Sequence, residues 1–172
     1  MDLQREKTRL LELVALSADY CFVCENVSEY NKEELIDRML DLLPRIYWNF
    51  FDLQTEQIFI EEFYPEYVDE DYYESIRRHI ESIMGEDDIF LETFEEDMKY
   101  SETPIGASIA ESLSDIFQPL FNFVNSVKEA DGENIFEMFS HCKDEFISYW
   151  SQKLCNVLRA LNSIKYSQNN LY

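Results

Sequence analysis

Apolar residues recur at three- and four-residue steps over most of this chain, and the cleanest run is Ile109, Leu113, Ile116, Leu120, Val124 and Val127. That spacing puts one continuous apolar stripe on a helix, predicted over Ile105–Lys128. Phe117 and Phe121 widen the stripe, as a helix with more than one neighbour requires. The opposite side carries Glu111, Asp115, Gln118, Asn122 and Asn125, with no lysine or arginine. Pro119 falls inside the run; it has no N–H for the Asp115 carbonyl and crowds it, at a cost of about 3 kcal/mol. Because the apolar phase continues through the proline, one kinked helix is expected rather than two shorter ones.

The same reading extends along the chain. Residues 2–27 form a first helix that turns Leu10, Leu13, Val14, Cys21, Cys24 and Val27 inward. Arg5, Lys7 and Arg9 lie at its positive end, which is unfavourable unless acids elsewhere offset them. Asn31 followed by Glu34 is an asparagine form of the capping box, and opens a helix that buries Leu35, Met39, Leu42, Ile46 and Phe50. Pro44 predicts a kink or short break near Leu43. Gln54–Val68 breaks the period and reads as an ordered surface loop or short extended piece. Asp69 caps the next helix, with Tyr73, Ile76, Ile80 and Ile83 inward and Gly85 as its stop. Glu86–Asp97, seven of whose twelve residues are acidic, reads as a short helix, and a loop at Lys99–Pro104 follows. Asp131-Gly132 marks a turn. A last long helix, about Glu133–Ile164, keeps Ile135, Phe139, Cys142, Phe146, Trp150, Leu154, Val157, Leu161 and Ile164 on one side. Residues 166–172 are polar and expected to fray.

At 172 residues with three glycines and four prolines, the chain fits a single all-α domain, an irregular bundle of five to seven helices. No apolar window is long enough to cross a membrane, and no signal peptide opens the sequence, so a cytoplasmic protein is expected. Four cysteines in helical patterns read as free thiols that serve as small apolar residues. The formal net charge of −22 argues against direct contact with nucleic acid or with anionic membrane, both of which need cationic side chains. It suits solubility alone, a docking face for a basic partner, or a mimic of nucleic acid that occupies a basic groove.

Three constellations carry candidate chemistry. Glu111 and Asp115 are one turn apart on the central helix, so like charges sit side by side and invite a compensating cation. With the carbonyl freed by Pro119 they offer oxygen ligands to a hard divalent ion, against the commoner alternative of a solvated polar face. His141, between Glu137 and Asp144, is the second, and completes a possible metal set of Glu111, Asp115 and His141. Against it, the sequence has only two histidines and no Glu-x-x-His pair, which a di-metal bundle requires. Cys21-Phe22-Val23-Cys24 is the third, but it lies within a helix with no strand before it, so packing outweighs redox or zinc chemistry. No phosphate loop, nucleophile elbow or zincin motif is present.

Asp97–Ala110, DMKYSETPIGASIA, continues into AESLSDIFQPL, and Trp150–Leu161 reads WSQKLCNVLRAL. With the helical order and length, these stretches resemble an uncharacterised bacterial family of small acidic helical proteins, classed as a domain of unknown function. The resemblance implies the fold and brings no activity, cofactor or partner. The residues themselves favour a non-enzymatic interaction module that docks a basic partner through an acidic, aromatic surface over 59–102. Glu95, Glu96, Asp97, Tyr64 and Tyr67 are its expected contacts, within a ring-rich stretch that also holds Phe59, Phe63, Tyr72 and Tyr73. The alternative is a small-molecule or divalent-metal site around Glu111 and Asp115, with His141, Tyr100 and Ser108 as neighbours.

Overall fold

A computed structural model describes residues 2–54, 64–92 and 105–167. Among these residues the chain is all-α apart from one small hairpin, and forms a single irregular bundle. Helix α1 spans Leu3–Glu25, α2 Lys32–Asp52 and α3 Glu70–Met84. Helix α4 spans Ile109–Glu129, α5 Ile135–Glu145 and α6 Ser151–Ser167. The predicted caps do the starting and stopping. The Asn31 carboxamide accepts from the Glu34 amide, and the Glu34 carboxylate accepts from the Asn31 amide, closing the box. Asp69 accepts from the Tyr72 amide, and Gly85 ends α3 at φ +57°, a conformation that glycine adopts without steric cost.

The apolar period explains the packing. Helix α4 is the hub, lying against α1, α3, α5 and α6, while α2 closes the bundle against α1 and α6. Leu113, Ile116, Phe117 and Leu120 are fully buried along it. At one end Phe50 sits among Phe146, Phe139 and Trp150, with ring centroids 4.9–5.4 Å away, so three helices meet on one aromatic cluster. Trp48 and Phe51, beside it in sequence, are exposed instead. The positive start of α1 is offset as its charges require, since Arg9 pairs with Glu6 and with Asp52 of α2.

Four expectations change: a break near Leu43, a short helix from Glu86, the start of α4 and the uniformity of the last helix. The break near Leu43 is absent, because α2 runs through Pro44 without interruption. Helix α4, as its continuous apolar phase predicts, runs as one element through Pro119. The short helix expected from Glu86 does not form. Gly85–Asp88 is a single tight turn, and Ile89–Leu91 (β1) pairs antiparallel with Gly106–Ser108 (β2), Ile89 opposite Ser108. The reason lies in Asp88, which is buried and spends both carboxylate oxygens on the start of α4. One accepts from the Ser108 hydroxyl at 2.6 Å, the other from the Ala110 amide at 2.8 Å. That anchor draws the two segments together and delays α4 to Ile109, four residues later than the apolar pattern suggests. The last helix is also not uniform. Residues Phe146–Trp150 form a π turn between α5 and α6, in which the Ser151 amide donates back to the Phe146 carbonyl.

Candidate functional site

The polar stripe of α4 faces the groove toward α3, α5 and α6. Asp115, at its centre, is only 13% exposed and gathers partners from two other helices. The Tyr73 hydroxyl of α3 donates to it at 2.6 Å, and the Tyr149 hydroxyl of the π turn at 3.2 Å. The Lys153 ammonium of α6 lies 3.2 Å from the same carboxylate and 5.5 Å from the Tyr149 ring. Burial, and then the hydrogen bond to Asp115, push the Tyr73 phenol well above its ordinary value, so it stays a donor. Tyr149 moves up for the same reasons. Burial pulls Lys153 down, but Asp115 outweighs it and holds the ammonium protonated. Three of the roughly four acceptor positions of the carboxylate are therefore filled. The cluster is an electroneutral clamp between helices.

Next to it, toward the C-terminal end of α4, lies a cleft of 260 Å³ between residues 64–66, α4 and α5. Its wall is a stack of the Tyr64 and His141 rings, 3.9 Å apart and 4° from parallel. Glu66 and Glu145 stand at the cleft, and among the described residues its lining includes no lysine or arginine. Glu145 lies 3.7 Å from His141 Nε2. Burial raises its carboxyl above the ordinary value; His141 opposes that shift and Glu66 reinforces it. The segment 64–68 is tied to α4, since the Tyr67 amide donates to the Asn122 carboxamide oxygen at 2.9 Å and the Tyr67 hydroxyl donates to Glu129.

The residues singled out from the sequence are thus distributed over two neighbouring places. Glu111 is exposed on the rim of the clamp and Asp115 is inside it. His141 belongs to the cleft. Among the described residues no three His, Cys, Asp or Glu side chains are placed to hold a metal ion, so the Glu111–Asp115–His141 set is not assembled. The compensating cation that the like-charged pair invites is Lys153, supplied from 38 residues along the chain, where no local pattern announces it. Tyr64 and Tyr67 do stand together at one face. Glu95, Glu96 and Asp97, with Phe59, Phe63 and Tyr100, lie outside the described residues. Cys21, Cys24 and Cys142 are buried free thiols, all raised by desolvation, Cys24 to about 12, so none is a poised nucleophile. Tyr20, which the sequence does not single out, is fully buried and its hydroxyl donates to the Leu113 carbonyl at 2.7 Å.

Similarity to other proteins agrees with this architecture. A family model described as a domain of unknown function, DUF5063, matches residues 5–167. The crystal structure of protein BF1032 from Bacteroides fragilis is similar over 92% of this chain and 93% of that one, at 27% sequence identity and a TM-score of 0.79. No curated protein matches the sequence. Among the described residues no helix is long and apolar enough to cross a membrane.

Proposed function

We propose, on the premise that the chain belongs to this family of unassigned activity, that it is a non-enzymatic interaction module that docks a basic protein partner. One observation carries the reading. Glu66 lines the cleft beside the Tyr64–His141 stack, Asp69, Glu70 and Asp71 continue the exposed acidic run into the start of α3, and none has an ion pair among the described residues. By contrast Glu74 and Glu81, about one and three turns further along α3, are paired with Arg77, and Glu74 with Arg78 as well. Unpaired charge of one sign beside aromatic rings suits a partner that brings the opposite charge, because such fields steer encounter and suppress wrong partners. The cytoplasm is the setting this reading assigns, with four unpaired cysteines in its favour.

The test is titration of a lysine- and arginine-rich peptide into the protein at increasing salt. Binding that weakens with salt is expected, together with a loss of about tenfold or more in the Glu66→Lys/Glu70→Lys/Asp71→Lys variant. A second variant, Glu95→Lys/Glu96→Lys/Asp97→Lys, asks whether the acidic run at 95–97 shares the interface. Absence of binding to the wild type at low salt would overturn the reading.

A further inference from the structure

The acidic run accounts for attraction to a basic partner but not for recognition of it. Recognition needs a concave feature, and the cleft beside α5 supplies one. At 260 Å³ it is smaller than the roughly 300–1,000 Å³ usual for cofactor and small-molecule pockets, and is the size for a single inserted side chain. Its chemistry is one-sided. Two carboxylates, Glu66 and Glu145, line it, with His141 3.7 Å from Glu145 as a partial counterweight. An inserted cation would be attracted by both carboxylates, and among the described residues the lining has no lysine or arginine to take that place. The flat wall decides which cation. A guanidinium is planar, lies readily on an aromatic face and forks onto carboxylates, whereas an ammonium is a strongly hydrated point charge that gains less from a stacked surface.

We propose that this cleft is an arginine-reading pocket, in which a guanidinium from the partner lies against the Tyr64–His141 stack and bonds to Glu66 and Glu145. The inference rests on the docking reading above and deepens it, by naming the side chain the partner must present. Tyr64 and His141 act as the platform, and the two glutamates as the fork-matching acceptors. The Tyr67 bonds to Asn122 and Glu129 act from outside, holding the 64–68 segment at its distance from α4.

The experiment compares nona-arginine with nona-lysine, equal in charge, by calorimetric titration at one ionic strength against wild type, Glu145→Gln and Tyr64→Ala. Thermal melts accompany each variant, and Glu145→Gln keeps the side-chain shape should Tyr64→Ala fail to fold. Wild type is expected to favour the arginine peptide by about tenfold. Either substitution should remove most of that preference, weakening the arginine peptide by more than it weakens the lysine peptide. A preference that survives Glu145→Gln unchanged would overturn the pocket and leave the docking reading standing. Failure of both peptides to bind wild type would overturn the docking reading, and the pocket with it.

Discussion

Asp115 is a carboxylate whose worth lies in the groups that would be stranded without it. Asp115→Ala would leave the Lys153 ammonium partly buried beside a phenol, and the Tyr73 hydroxyl without its acceptor. Stranding such groups costs more than the bonds are worth in a net sense, so a loss of about 2–3 kcal/mol is expected in urea unfolding, with unchanged slope. Glu145 behaves in the opposite way. Its folded-state pKa is raised, so the folded protein binds more protons than the unfolded chain just above the ordinary carboxylate range. The contribution of Glu145 to stability is therefore greatest in acid and is lost as pH rises through that window. Glu145→Gln should remove this slope and melt higher than wild type at about pH 7, with the difference gone at about pH 4.

At the scale of the elements, α2 carries an avoidable defect. Pro44 is exposed within the helix, donates no hydrogen bond to the Leu40 carbonyl, and packs nothing that alanine would forfeit in the core. Pro44→Ala is expected to stabilise the protein by about 1 kcal/mol, readable as a raised thermal midpoint. Elements whose signals are local were legible in the sequence: the Asn31–Glu34 box, the Asp69 cap, the Gly85 stop and the apolar phase of α4 all stand where the residues place them. The hairpin was not, because its cause is a long-range bond from Asp88 to the start of α4, and three-residue strands leave no period to read. The π turn had left a trace. Cys142, Phe146, Trp150 and Leu154 follow one another at three consecutive four-residue steps. A regular α-helix would turn the last of these about 120° past the first. The wider π turn takes up that excess, and all four stay buried.

Across the whole molecule, charge outweighs every other surface property. A chain of net −22 repels itself, and among the ion pairs that oppose this, Arg45–Asp41 and Arg38–Asp41 are exposed and individually weak. Screening should therefore help more than it harms: the thermal midpoint is expected to rise as sodium chloride is raised to about 0.5 M. A falling midpoint would mean that the pairs outweigh the repulsion. The same scale explains what the sequence withheld about the site. The acidic stripe of α4 was visible, but its counter-charge arrives from α6 and its phenols from α3 and the π turn, and only the folded bundle brings them together. The cleft, too, joins Tyr64 to a histidine 77 residues away. The π turn couples these distant parts in a further sense. Lys153 reaches Asp115, and His141 reaches Tyr64, from opposite sides of the same extra residue. Removing one residue there would leave two sound helices with their faces out of phase, parting the clamp from the cleft. This stretch is thus indifferent to much of its spelling yet bound to its letter count, and any change of length within it amounts to a rewiring of the protein.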